Sequence, residues 1–352
     1  MEKLEKILNK ISASNVDSFY SAAEPNIRYI TNFSGEEGSI LATSDEIILI
    51  VDSRFTEQAK EEVFKGVKVL EYSGKLAEFI QNLVNERKIH WLGVEQERIS
   101  YNRFQSLENM ASVNLVPLSN FIEEFRMVKD SLELDLIRKA CEISSKSFNE
   151  TLPLIKEGIT EREIASELEY RFRKNGGEKP SFDSIVASGE RGALPHGVAS
   201  DKKINPHEPI VFDFGVFYKG YASDTTRVVC IAEPSSEFKT YYDSVQESQK
   251  IGREFAKQGV KASDLDKKVR DYLKEKNLSF GHGLGHGVGL EIHELPFVNS
   301  SSPFTLEEGM VMTIEPGVYF PNKFGMRLED TVIVKKDGIE QLIGLPHDII
   351  VL

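Results

Sequence analysis

Cysteine is scarce. The 352 residues contain two, Cys141 and Cys230, far apart and in no CxxC pair. That excludes a disulfide-stapled scaffold and a thiolate zinc site, and it fits two buried free thiols in a reducing cytoplasm. Long apolar runs are absent. The opening stretch MEKLEKILNKIS reads as a charged amphipathic helix with Leu4, Leu8 and Ile11 on one face, not as a signal peptide or a membrane span. Cationic residues are outnumbered: 43 Lys and Arg against 56 Asp and Glu leave a net charge of −13. The balance disfavours nucleic acid or an anionic membrane as partner. HExxH, GxxxxGK[ST] and GxSxG are all missing, which excludes a zincin, a P-loop and a nucleophile elbow.

What is present is ordinary in bulk and unusual in detail. Hydrophobic residues are 40% and charged residues 28%, as in a soluble globular protein long enough for two domains. Over the first 120 or so residues strand-like runs alternate with helical ones, which predicts an α/β domain spanning 1–125. In that stretch Glu24-Pro25 punctuates the chain, Ser53 is the expected N-cap of a helix to Phe64, and Ser100–Ala111 is helical. Asp130 followed by Glu133 is a helix-start signal, and Thr160 opens a second long helix that Gly176-Gly177 ends. From 126 to 352 the pattern is α+β: helix pairs against a curved, mostly antiparallel sheet, with Leu194–Gly197 among its loop and strand runs.

Four carboxylates interrupt strand-like apolar runs between Ile210 and Asp330: Asp213, Asp224, Glu315 and Glu329. Burying unpaired charge is expensive, so a cation is expected to compensate them. If Phe217–Gly220 is a four-residue turn, Asp213 stands directly opposite Asp224. Glu315 and Glu329 are centred on Asn322, so they are opposed as well, and the two hairpins form a pseudo-symmetric site. His286, in GHGLGHGVG, supplies a fifth ligand. Carboxylates with an imidazole suit Mn, Co, Zn or Fe(II) better than Ca or Mg, and two such ions would hold a bridging hydroxide at neutral pH. Strand parity puts His282 and His286 on one face and His293 on the other, so a bend at the glycines is required. On their own, His196 and His293 read equally well as structural hydrogen-bonders. His90, His207 and His347 read as surface or turn histidines.

VFDFG, SDTTR, GHGLGHGVGLEIHE, TIEPG and MRLEDT, in this order over roughly 128–352, resemble the pita-bread metallopeptidases: methionine aminopeptidase, aminopeptidase P and prolidase. The first 125 or so residues, with NIRYIT and DSRFT, are similar to the N-terminal domain of aminopeptidase P, prolidase and creatinase, which argues against methionine aminopeptidase. Retention of all five ligand positions argues against creatinase and against a non-catalytic binding module. The resemblance implies a pita-bread catalytic domain with a pseudo-twofold axis, two divalent ions (Mn or Co expected) and a homodimer. The substrate would be a proline-containing peptide, cut by attack of a metal-bridging hydroxide.

By the same resemblance Asp213 would chelate one ion, His286 and Glu315 the other, and Asp224 and Glu329 would bridge. His293 would stabilise the oxyanion, Glu315 would move a proton, His196 and His282 would line the proline side, and Arg327 would orient the site. Prolidases often carry an arginine four residues after the histidine of EIHE. Here that position is Phe297. An apolar ring cannot pair a carboxylate, so the expectation is an Xaa-Pro aminopeptidase of the aminopeptidase P type. The alternative is an Xaa-Pro dipeptidase in which another basic residue, such as Arg191, reads the C-terminus.

Overall fold

The computed structural model describes residues 2–110 and 113–352. The chain divides into two compact units, Met1–Arg126 and Met127–Leu352.

In the first unit six strands form one mixed sheet. Their order is Val67–Glu71, Ile47–Val51, Ser39–Thr43, Ser18–Ser21, Trp91–Glu95, Asn114–Leu118. Ser39–Thr43 and Ile47–Val51 form a hairpin, Ser18–Ser21 runs antiparallel to Ser39–Thr43, and the pairs Ile47–Val51 with Val67–Glu71, Ser18–Ser21 with Trp91–Glu95, and Trp91–Glu95 with Asn114–Leu118 are parallel. Tyr20, Leu41, Ile48, Leu92 and Val94 pack there with Ile80, Leu83, Val84 and Leu107 from the helices. Glu24-Pro25 follows the end of the strand Ser18–Ser21, as expected, and starts the helix Glu24–Thr31, where a proline lacking its N–H costs nothing. The next helix is shorter than its pattern predicts. It runs Thr56–Glu62 with no side-chain cap, because Asp52 accepts the Arg54 N–H in a local turn that precedes it. Tyr101–Glu108 is capped by Ser100, and Ala111, the last residue of the predicted helix, lies outside the described residues.

Glu95 ends the fifth strand of this sheet. It accepts hydrogen bonds from Ser21 Oγ (2.7 Å) and Asn26 Nδ2 (2.5 Å), and burial pushes its carboxyl up to about 7. A carboxyl whose folded value is raised binds more protons folded than unfolded between about 4.5 and 7. Stability therefore falls as pH rises through that window. Glu95→Gln is expected to flatten the fall, recovering up to about 3 kcal/mol above pH 7. Urea unfolding followed by Trp91, the chain's only tryptophan and a residue of the same strand, reads this out. Equal pH profiles for both proteins would refute it.

In the second unit the helix Ser131–Thr151 begins with a reciprocal capping box: Asp130 Oδ1 takes the Glu133 N–H at 2.9 Å and Glu133 Oε2 takes the Asp130 N–H at 3.0 Å. Thr160 and Glu163 do the same for Glu161–Lys174, after which only Gly176 of the glycine pair is left-handed. The main sheet is ordered Glu294–Val298, Gly285–Gly287, Val311–Ile314, Glu329–Lys335, Thr225–Cys230, Pro209–Phe214, Ile185–Ser188, with antiparallel neighbours throughout. Each half follows the same plan along the chain: a helix pair, strands that begin toward the edge of the sheet, and a hairpin that leads into the central strand. Phe214 stacks on Phe148 and Phe212 meets it edge-on behind one half, and Phe238, Tyr242, Leu265 and Val269 fill the core behind the other. Alternation then turns the residues between these apolar ones to the opposite face. Leu194–Gly197 is no strand but a turn after the short 3₁₀ helix Gly189–Ala193. Cys141 and Cys230 are both buried and free. No helix among the described residues is long and apolar enough to cross a membrane.

Candidate active site

The register of the first hairpin differs from the expected one. Tyr218 pairs with Tyr221 and Phe217 with Ala222, so the turn is Lys219-Gly220, left-handed at both residues (φ 47° and 78°). Two-residue turns of this kind match the twist of the strands they join, and glycine meets the second positive φ without strain. The consequence is a shift of two residues. Asp213 faces Thr226, not Asp224. A two-residue shift keeps side-chain parity, so Asp224 stays on the same face. Asp224 itself lies in a break in the ladder. There the chain passes so close to Gly215 that a Cβ at 215 would sit 1.9 Å from the Ser223 carbonyl oxygen. Thr331 Oγ1 fixes the Asp224 carbonyl at 2.7 Å.

The second hairpin keeps the expected register. Ile314 pairs with Asp330 and Gly317 with Arg327, which sets Glu315 opposite Glu329. Thr226 also pairs with Glu329. Asp213, Thr226, Glu329 and Glu315 thus form a row across the sheet. The bend required at the glycines is a return of the chain: Gly287 pairs with Glu294, bringing the His286 and His293 rings to 4.3 Å between centroids.

One cavity of about 510 Å³ collects every candidate residue: Asp213, Asp224, His286, Glu315 and Glu329, with His196, His282, His293, Phe297 and Arg327. Donor atoms of Asp224, His286 and Glu329 lie within 4.8 Å of one another. His286 Nε2 is 3.3 Å from Glu315 and 3.5 Å from Asp224, while its Nδ1 donates to the Gly287 carbonyl at 3.1 Å. That tautomer aims a bare nitrogen lone pair at two carboxylates, an arrangement a shared cation resolves. The Asp213 carboxylate holds Arg327 Nη2 at 2.5 Å through Oδ2, whereas its buried Oδ1 has no hydrogen-bond partner.

Electrostatics agree. Burial, followed by the neighbouring acids Glu329 and Asp213, pushes the Asp224 carboxyl well above its usual value. Burial with Glu315 and Asp213 does the same to Glu329. Burial takes Glu315 to about 7 and raises Asp213 against the pull of Arg327. Burial lowers His286 to about 3 and His282 to about 4, leaving neutral imidazoles. Four buried acids that suppress one another's ionisation, an orphaned carboxylate oxygen and a neutral imidazole together fit divalent cations.

Three residues escaped the sequence reading. Thr226 donates to Glu329 Oε2 at 2.6 Å and accepts from Arg327 Nε at 3.0 Å. Thr313 donates to Glu315 Oε1 at 3.1 Å. Tyr319 accepts from Arg327 Nη1 at 2.8 Å and lies 3.1 Å from His282 Nε2. Period-two spacing from Asp224 and Glu315 flags the two threonines, but nothing local flags Tyr319. Arg191 is not among the residues lining the cavity, and Glu161 at 2.9 Å and the Val198 carbonyl at 2.6 Å engage two of its donors. His347 is not a mere surface residue, since its Nε2 lies 2.6 Å from the buried Asp330.

Comparison with known proteins follows the same lines. Residues 135–336 match the model of metallopeptidase family M24, and residues 3–128 that of the creatinase/prolidase N-terminal domain. A protein of Pyrococcus horikoshii named Xaa-Pro dipeptidase is 39% identical over 353 residues, covering 99% of each chain. The solved structure titled Xaa-Pro dipeptidase from Bacillus anthracis superposes with a TM-score of 0.97 at 37% identity, covering 100% of this chain and 99% of that one. That of an X-Pro aminopeptidase from Thermotoga maritima does so with a TM-score of 0.90 at 39% identity, covering 98% and 100%. The fold is therefore a creatinase/prolidase-type α/β domain followed by a pita-bread domain, and the chain belongs to metallopeptidase family M24.

Proposed function

We propose that the chain is an Xaa-Pro dipeptidase, a hydrolase of the bond between a free N-terminal residue and proline. The observation that carries the metal chemistry is the convergence of Asp213, Asp224, His286, Glu315 and Glu329 on one cavity. The choice of substrate is supported by full-length similarity to proteins named Xaa-Pro dipeptidase. Two divalent ions bound to these residues supply a nucleophile at neutral pH and Lewis acidity. Asp213, Asp224, His286, Glu315 and Glu329 would hold the two ions. Glu315 moves a proton from the nucleophile toward the leaving nitrogen. His293 donates a hydrogen bond to the developing oxyanion. His196 and His282 line the proline side with Pro195, Ile185 and Val198, and Arg327 holds Asp213 in place. The hard donor set favours Mn or Co, the two free buried thiols favour a cytoplasmic location, and the family resemblance favours a homodimer.

One observation favours a second reading, the aminopeptidase P type. Phe297 stands at the cavity 44% exposed, and Arg327, the one arginine among the described lining residues, is already paired with Asp213. Hydrolysis of Xaa-Pro and Xaa-Pro-Yaa with Mn or Co, before and after chelation, tests both. The expected result is dipeptide cleavage that chelation abolishes and Mn or Co restores. Cleavage of tripeptides alone would replace dipeptidase by aminopeptidase. No cleavage with any metal would remove both. Phe297→Arg is expected to raise kcat/KM for the dipeptide relative to the tripeptide by about tenfold, the worth of one charge-assisted hydrogen bond.

A further inference from the structure

We propose that the buried Lys129–Glu294 ion pair is a positioning device for His293. The inference rests on the reading of His293 as the oxyanion's hydrogen-bond donor. Glu294 follows His293 directly and opens the strand Glu294–Val298. Its side chain is 2% exposed and that of Lys129 1%, with Nζ 2.8 Å from Glu294 Oε1. Replacing such a pair by apolar residues is often neutral or stabilising, so stability alone does not account for it.

Its contacts show what it holds. Glu294 Oε2 accepts the Glu291 N–H at 3.4 Å, inside the turn that delivers His293. The main chain of that turn lies against the carboxylate, since a Cβ at Gly289 would be 2.4 Å from Glu294 Oε1. The Gly289 carbonyl accepts the Ala222 N–H at 2.8 Å, two residues before Asp224. Lys129 is fixed in turn. Its N–H donates to the Gly309 carbonyl at 3.0 Å, and Val128 bridges to Met310, where the chain enters the strand leading to Glu315. One carboxylate therefore ties the His293 turn to the segments that deliver Asp224 and Glu315. His293 lies 4.3 Å from His286 between ring centroids, so a shift of its turn moves the donor relative to the ligands.

Two variants loosen the grip without stranding a charge. Lys129→Met with Glu294→Leu removes the pair, and Gly289→Ala pushes the carboxylate off the turn. Each is made in the full-length Mn-loaded protein, with and without His293→Ala, and assayed on Xaa-Pro and Xaa-Pro-Yaa peptides. Alone, each is expected to lower kcat roughly 10- to 100-fold with KM within about threefold, the effect of a catalytic group held slightly out of place. Added to His293→Ala, each is expected to cost less than about twofold more, because the group they position is gone. Amide hydrogen exchange is expected to quicken across residues 289–293 in both variants. Equal losses in both backgrounds, or no loss in either, would overturn the proposal. Full kcat in His293→Ala alone would overturn the reading of His293 on which it stands. An inactive wild type would instead count against the proposed function, and unchanged exchange at 289–293 would then still count against the positioning role.

Discussion

Glu329→Gln is expected to lower kcat by on the order of 1,000-fold or more and to weaken binding of both ions, while leaving the ion-free protein at least as stable. The backbone at 329 is held independently of the side chain: its carbonyl accepts from Arg227 Nη1 at 2.6 Å and from Thr225 Oγ1 at 3.0 Å. The variant therefore has reason to fold. Burial and the neighbouring acids already push the Glu329 carboxyl well above its usual value, so without ions a neutral amide is the easier group to bury. The sign of the pH effect follows. A raised folded value gives stability that is full below the unfolded carboxyl value and declines as pH rises above it, and the amide removes that decline. With ions the order inverts. Saturating Mn at 100 times its Kd stabilises a binding protein by about 2.7 kcal/mol, and the variant forfeits most of that. Thermal unfolding with Mn and with chelator, beside metal content and rate, separates these effects. Full metal content at full rate would mean that Glu329 does not bridge.

Arg227→Met is expected to cost about 3–5 kcal/mol of folding stability, a drop in Tm on the order of 10 °C. Arg227 is fully buried on the face of the sheet opposite the cavity, with Nη2 2.7 Å from Asp330 Oδ1. Burial alone would raise the Asp330 carboxyl, but Arg227 and then His347 hold it down at about 2. Truncating the arginine leaves a buried carboxylate whose remaining partners are Gln249 at 2.8 Å, His347 at 2.6 Å and, at 4.0 Å, Arg253. It also takes one donor from each of the carbonyls of Thr226, Glu329 and Leu345. The double variant with Asp330→Leu removes both charges and is expected to recover part of the loss. Denaturant unfolding of the three proteins decides the matter. A single variant within about 1 kcal/mol of wild type would show that the pair contributes little.

The two hairpins show how far local pattern reaches. Glu315 and Glu329 are opposed as their spacing about Asn322 requires, because Pro321–Lys323 makes a turn centred there. Asp213 and Asp224 are not, because Lys219-Gly220 is tighter than a four-residue turn. The error cost little. Register slips of two residues preserve parity, so the acids still share a face and the cavity still collects them. His293 had the wrong parity for an extended strand, and a return of the chain brought it beside His286. Tyr319 and Arg191 were illegible for another reason. Whether a side chain faces His282 or is spent on Glu161 depends on segments 37 and 30 residues away.

By itself the sequence determined the class of chemistry. Acids placed at period two within apolar runs must be buried together, and burial of like charges demands a cation whatever the register. It determined both helix capping boxes as well, since these form between residues three apart. Only the tertiary structure decided which acid faces which threonine, which partner each arginine takes and what the Lys129–Glu294 pair holds. Those outcomes rest on contacts between distant segments, where a turn of two left-handed residues sets the alignment of everything beyond it.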